Sequence, residues 1–227
     1  MDRQPGRDEH FWATVERNDL LAMPVLAPLS STYLPWSLSA MRPSGVVAIL
    51  NDIVVKRRRR VVELGGGIST FYISRLLRQR GGHLWTIEHD EEWAALLSRE
   101  LAEEGLGDVA TVVHAPLAPA APEWPGDDSA WYQREKLAEA VDGDPIDLLI
   151  VDGPPAYKDR WRHRRYPAVP FFAPMLAADY TVILDDIDRL GEQEVLTRWE
   201  GQLGITFERR LTNGRIGIGR SQASFDI

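Results

Sequence analysis

The sequence predicts an α/β fold: a doubly wound seven-stranded sheet, mostly parallel, that ends in an antiparallel hairpin. Three observations carry this. Short apolar β-branched runs alternate with amphipathic stretches, which is the pattern of repeated β-α-β units. The first such run turns into a helical pattern through three glycines, Val61-Val62-Glu63-Leu64-Gly65-Gly66-Gly67-Ile68-Ser69-Thr70. A turn of that kind sets bare backbone N–H groups and a helix N-terminus against a ligand. Near the C-terminus, Thr212-Asn213-Gly214 separates two strand-like runs, and Asn-Gly readily takes the positive φ angles of a tight turn.

In order, Val61 to Leu64 reads as the first strand and Ser69 to Arg80 as its crossover helix. Leu84 to Glu88 is the second strand, followed by a helix through Trp93, Leu96, Leu97 and Leu101. Ala110 to His114 is the third. Ile146 to Val151 is a continuous apolar run, as expected of a strand buried on both faces, and Thr181 to Leu184 is the fifth strand. Ile205 to Leu211 and Arg215 to Gly219 form the closing hairpin. Residues 1–59 hold a helix around Asp8 to Asn18, a Pro-rich stretch and an amphipathic segment from Ser44 to Val55; they read as an N-terminal cap or lid on the domain at 60–227. Ala115 to Pro145, with Trp124, Trp131 and Tyr132, is a long insertion between the third and fourth strands, and insertions of that length in a compact domain serve as lids or binding loops.

The 227 residues suit one domain with a substantial core, and 44% hydrophobic with 26% charged residues is a globular composition. No run approaches the roughly 18 apolar residues that span a bilayer. With no cysteine there is no disulfide framework, thiolate nucleophile or cysteine zinc site, and a cytoplasmic location is expected. A net charge of −8 argues against a general nucleic-acid binder. Two basic runs, Lys56 to Arg60 and Arg160-Trp161-Arg162-His163-Arg164-Arg165, oppose the global sign; the first reads as a solvated face, and the second lies close to the expected site.

The residue before the glycines separates two kinds of nucleotide ligand. A dinucleotide fingerprint needs G-x-G-x-x-G, but Thr70 stands at its third glycine, and Glu63 would bring negative charge toward a pyrophosphate. A carboxylate there suits a cationic ligand, such as the amino group of a methionine moiety. The segment resembles motif I of the class I S-adenosylmethionine-dependent methyltransferases, E/D-x-G-x-G-x-G, with Ser69 in place of the last glycine. That family has a Rossmann-like sheet closed by an antiparallel hairpin, as expected here. The resemblance implies S-adenosylmethionine held by Glu63, Gly65, Gly66, Gly67 and Ser69, with Glu88 at the end of the second strand taking the ribose hydroxyls. His89 and His114, at the ends of the second and third strands, and Asp152 complete the expected cofactor set.

Asp152 and the Asp185-Asp186 pair end two strands that should be neighbours. Hard carboxylate oxygens converging there suit Mg²⁺ or another divalent cation, although Asp185 could instead cap the following helix. This arrangement is similar to that of the catechol O-methyltransferase group, which implies Asp152, Asp185 and Asp186 as metal ligands. Lys158-Asp159-Arg160-Trp161 resembles the Lys-Asp-Arg-Tyr of that group, implying Lys158 as a base on the substrate hydroxyl, but it lies six residues after Asp152 where the group has three. A surface lysine is the alternative. Asp186 is the other candidate for a catalytic role.

Trp131, Tyr132, Arg165 and Tyr166 are candidate substrate contacts, since aromatic faces and guanidinium groups recognise planar or anionic ligands. The expected activity is methyl transfer to a hydroxyl of a small molecule, such as a sugar, a phenol or a natural product, assisted by a divalent metal. A metal-independent O- or N-methyltransferase using Asp185 or Asp186, an NAD oxidoreductase and a non-catalytic cofactor-binding module are the alternatives. No nucleic-acid or membrane partner is expected, and the N-terminal segment could serve a homodimer interface as readily as a lid.

Overall fold

The computed structural model describes residues 9–31, 36–37, 39–119, 130–141, 143 and 145–222. Two N-terminal helices, α1 (Glu9–Leu26) and α2 (Pro43–Lys56), precede β1 (Arg60–Leu64). Then follow α3 (Ile68–Arg80), β2 (His83–Glu88), α4 (Glu91–Glu103) and β3 (Ala110–His114). The insertion folds as a hairpin of β4 (Leu117–Pro119) and β5 (Ala130–Tyr132) followed by α5 (Arg134–Ala140); Trp124 falls outside the described residues. The chain returns through β6 (Ile146–Val151), α6 (Ala168–Phe172), β7 (Leu176–Leu184), α7 (Leu190–Leu203), β8 (Phe207–Arg210) and β9 (Ile216–Arg220).

The main sheet runs β3-β2-β1-β6-β7-β9-β8. Its first five strands are parallel, and β9 pairs antiparallel with both β7 and β8. The expected doubly wound sheet with its closing hairpin is therefore present. The chain works outward from β1 to β3, then returns to β6 on the other side of β1. The β1–β6 junction is thus the switch point at which open α/β sheets bind ligands, beyond the strand C-termini.

Strand alternation sorts the core into two layers. Val61, Leu148, Ile150 and Ile183 face a cluster built with α2, α3 and α4, including Ile49, Ile53, Ile73, Leu77 and Leu97. Val62, Leu64, Leu149, Val151 and Val182 face the second cluster, with Trp131, Leu137, Phe172 and Trp199. The N-terminal segment shares the first of these cores through Leu26, Met41, Val46 and Ile49. Among the described residues, no helix is long and apolar enough to cross a membrane.

Several boundaries differ from expectation. The first helix continues to Leu26, with Pro24 inside it. β7 starts five residues earlier than read, at Leu176. The hairpin turn takes residues 211–215, and its positive φ angles fall on Gly214 (88°) and Arg215 (58°), one residue later than an Asn-Gly turn would put them.

Candidate active site

The C-terminal ends of β1, β2, β6 and β7 bring together most of the residues singled out in the sequence. Gly65 has φ 90°, a conformation L side chains rarely adopt. A Cβ there would come within 3.0 Å of the Asp152 carbonyl carbon and of the Gly153 nitrogen, so the ends of β1 and β6 touch only because the residue is glycine. At Gly66 a Cβ would meet Leu97 Cδ1 at 2.6 Å and Thr86 Cγ2 at 2.7 Å. Gly67 differs, since a Cβ there would meet nothing within 4 Å. The last glycine therefore faces open space at the start of α3, where the Gly67 N–H is satisfied by Thr70 Oγ1 at 3.0 Å.

Glu63 does not face that space. It shares the strand parity of Val61, which turns its side chain beneath the first turn of α3, where it is fully buried. Its oxygens accept from Ser69 Oγ (2.6 Å), Thr70 Oγ1 (2.6 Å) and Thr86 Oγ1 (2.9 Å). Burial pushes its carboxyl above the usual range, against those three bonds. The expected contacts of Glu63 and of the Ser69 hydroxyl with a ligand are thus corrected. Both side chains bond each other under the turn and set its shape.

Glu88 is the carboxylate that does reach the turn. It accepts from the backbone N–H groups of His89 (2.7 Å), Asp90 (2.9 Å) and Gly66 (3.2 Å), and His89 Nδ1 lies 2.7 Å away. Burial acts to raise its pKa, but the His89 side chain and the Asp90 backbone outweigh this and hold the carboxyl below its usual range. His114 pairs in register with Glu88 across β2 and β3, half-buried.

At the other half of the crevice, one oxygen from each of Asp152, Asp185 and Asp186 lies within 4.8 Å of the others. Successive residues of a strand point to opposite faces, so Asp185 and Asp186 could not both join such a cluster from a regular strand. The chain breaks that alternation at Asp186, which takes the left-handed conformation (φ 59°) that aspartate tolerates better than most residues. Arg165 closes the cluster from below. Its Nη2 donates to Asp152 Oδ1 (3.1 Å) and Asp186 Oδ2 (3.2 Å), and its guanidinium also reaches the carbonyls of Asp152, Asp185 and Pro154. Arg189 and Arg215 pair with Asp186 as well, at 2.9 and 3.1 Å.

These neighbours divide the three acids. Burial would raise Asp186, but Arg165, Arg189 and Arg215 hold it below the usual range. Burial and the Asp186 charge push Asp185 up to about 7, and burial and the Asp185 charge raise Asp152 well above its ordinary value. Asp185 Oδ1 is buried with no hydrogen-bond partner among the described residues. An orphaned oxygen amid converging carboxylates fits a hard divalent cation.

Several predicted contacts lie elsewhere. Trp131 and Tyr166 are buried: Trp131 packs on Phe171, and the Tyr166 hydroxyl accepts from Gln202. Arg165 is an internal counter-ion of the acid cluster, and Tyr132 is buried at the crevice. Lys158 is exposed, its Nζ 4.0 Å from the centre of the Trp161 ring, and it has no ion pair among the described residues. Missed in the sequence was the loop as a unit. Residues 155–164 leave from Pro154 and return at Arg165, whose side chain bonds the Pro154 and Asp152 carbonyls and so clasps both feet of the loop at the acid cluster. Its tip carries Tyr157 (64% exposed) edge-on to Trp161, with Lys158, Arg160 and Arg164 around the Trp161 ring. The run of basic and aromatic residues was the available signal.

A methyltransferase domain family matches residues 62–187, which run from β1 through the acids after β7. The chain belongs to this family and is an S-adenosylmethionine-dependent methyltransferase, which sets aside the oxidoreductase alternative. No curated protein matches the chain in sequence. Among solved structures, a provisionally assigned caffeoyl-CoA O-methyltransferase from Staphylococcus aureus superposes with a TM-score of 0.63 at 14% identity, covering 91% of this chain and all of that one. The O-methyltransferase TomG of Streptomyces achromogenes, in complex with SAM and involved in tomaymycin synthesis, gives 0.55 at 17% identity, over 96% of this chain and 91% of that one. An O-methyltransferase from Bacillus cereus in complex with SAH gives 0.54 at 16% identity, over 95% and 92%. At these identities the likeness is one of fold.

Proposed function

We propose that the protein transfers the methyl group of S-adenosylmethionine to a hydroxyl of a small planar molecule, with a divalent cation at Asp152, Asp185 and Asp186. The observation that carries this is the convergence of those three carboxylates at the ends of β6 and β7, with Asp185 Oδ1 left unpartnered. The donor supplies a methyl on a sulfonium, and a bound cation would lower the pKa of an acceptor hydroxyl. The chain's own groups do the positioning. The Gly65–Gly67 backbone and the N-terminus of α3 receive the donor's polar end, and Glu88 takes the ribose hydroxyls. The loop at 155–164 offers the acceptor an aromatic face ringed by cations beside the acids.

The charge of the cluster is compatible with both a metal and a metal-free reading. Around Asp186 five carboxylates (Asp152, Asp185, Asp186, Asp188, Glu192) meet three guanidiniums (Arg165, Arg189, Arg215), an excess of two negative charges. A divalent cation balances that excess, and so would two protons. The second reading follows from the protons. Arg165 already bonds Asp152 and Asp186, and Asp185, poised at about 7, suits a general base without metal. In either case the acceptor oxygen bonds the methyl carbon as the carbon–sulfur bond breaks and S-adenosylhomocysteine leaves; the hydroxyl proton goes to water in the first reading and to Asp185 in the second.

Calorimetry with S-adenosylhomocysteine tests the donor site: Glu88→Ala should weaken binding by about 1.5–3 kcal/mol. Turnover of a catechol-type acceptor with and without Mg²⁺ and chelator decides between the two readings. Undiminished activity after chelation would eliminate the metal.

A further inference from the structure

We infer that Tyr132 is a donor-positioning residue, its phenol hydroxyl bonding the S-adenosyl donor at the β1–β6 switch point. The inference rests on the donor site proposed above and adds a residue from outside the β-α-β repeat. Tyr132 ends β5, in the hairpin inserted between β3 and β6, and pairs there with Leu117. The hairpin is pinned by Trp131, which packs on Phe171 in the second core layer. The following residue, Tyr132, carries its hydroxyl to the junction of the two glycine turns. A Cβ added to Gly153 would overlap Tyr132 Oη, and the same Cβ would lie 2.9 Å from Gly65 Cα and 3.0 Å from Gly65 N. The phenol thus fills the space that glycine at 153 leaves open, against the turn that begins the donor site.

That hydroxyl is buried and has no hydrogen-bond partner among the described residues. A buried tyrosine O–H ordinarily finds a partner, because leaving it unpaired forfeits the hydrogen bond it made to water. Its surroundings are polar: the charges of Glu88, Arg165, Asp152 and Glu63 all act on it, and His89 meets its ring edge-on with centroids 6.5 Å apart. Burial keeps the phenol protonated far above neutral pH, so it offers an O–H to a ligand oxygen. Gly65 and the Glu88–His89 pair belong to the donor site proposed above, while Asp152 and Arg165 already bond each other, so the donor is the partner left for the hydroxyl.

Tyr132→Phe removes one oxygen and keeps the ring. Titration with S-adenosylhomocysteine should show affinity about 3–10-fold weaker than that of the unsubstituted protein, as for a lost neutral hydrogen bond. The ligand-free melting temperature should stay level or rise, because the deleted hydroxyl has no partner to lose. These opposite signs separate ligand contact from packing. Unchanged affinity in Tyr132→Phe, or weaker affinity with a lower ligand-free melting temperature, would overturn the inference while leaving the donor site intact. Failure of the unsubstituted protein to bind S-adenosylhomocysteine would overturn both.

Discussion

Arg165 Nη2 donates to the main-chain carbonyl of Asp152 at 2.7 Å and to its carboxylate at 3.1 Å. One guanidinium thereby fixes the end of β6 and, through Asp186 Oδ2 at 3.2 Å, the turn after β7. It also closes the loop that carries Tyr157 and Trp161, so the acid cluster and this loop share one anchor. The charge itself is secure, since the acids around it raise the Arg165 pKa against the cost of burial.

Replacing that anchor should be costly. Arg165→Leu leaves Asp152 without its ion partner, while Asp186 keeps Arg189 and Arg215; breaking a buried pair of this kind costs about 3–5 kcal/mol. Arg165→Lys should recover little of it, because a single ammonium cannot span the Pro154, Asp152 and Asp185 carbonyls that the planar fork joins. Urea unfolding of the two variants measures both effects.

The pH dependence of stability should reveal the acid cluster and test the proposed cation together. Burial raises Asp185 from 3.8 to about 7 and Glu192 from 4.5 to about 7. Between those values the folded protein holds protons that the unfolded chain has released. The corresponding stability is complete below the unfolded values and is lost as pH climbs through about 7. Chelator-treated protein should therefore melt at a lower temperature at pH 8 than at pH 6. A cation competes with the Asp185 proton, so Mg²⁺ or Mn²⁺ should raise the melting temperature more at pH 8 than at pH 6. Equal metal effects at both pH values would argue against Asp185 as a ligand.

Much of this was legible in the chain because it is local. The glycine turn, the alternating runs and the acids ending β6 and β7 each depend on a few neighbouring residues. The position of Glu63 was legible too: two residues after the core residue Val61, it had to point under α3, and a motif-level reading passed over that parity. Arg165 was not legible, since its partners at 152 and 185–186 meet only once the sheet is assembled. The inward packing of Trp131 and Tyr132 was not legible for a similar reason. Adjacent residues of a short hairpin strand point oppositely, yet both are buried here, one against Phe171 and the other against the glycine turns.

Glu63 affords a direct check of that parity. In Glu63→Ala the hydroxyls of Ser69, Thr70 and Thr86 lose their shared acceptor, and each buried donor left unsatisfied costs about 1–3 kcal/mol. Glu63→Gln keeps an acceptor and much of the volume, so it should retain most of the stability and bind S-adenosylhomocysteine nearly as tightly as the unsubstituted protein. A residue touching the ligand would behave otherwise, with Glu63→Gln stable but weakened in binding. Urea unfolding and calorimetry on the same two variants separate the cases.

Gly153 allows the contact with Tyr132 to be tested from its other side. Alanine at 153 would drive its Cβ into Tyr132 Oη and press it to 2.9 Å from Gly65 Cα. The first neighbour is the tip of a side chain and the second is backbone, so the two should yield to different degrees. Gly153→Ala alone should lower the melting temperature and weaken S-adenosylhomocysteine binding, through displacement of the phenol and of the Gly65 turn; overpacking of this kind typically costs about 1–3 kcal/mol. Adding Tyr132→Phe removes the oxygen and should restore part of the stability. Restoration should be incomplete, because the approach to Gly65 remains. A double-mutant cycle on unfolding free energy reads the coupling directly, and residues in contact should depart from additivity by at least about 0.5 kcal/mol. Additive effects would mean that Tyr132 Oη does not occupy the space above Gly153.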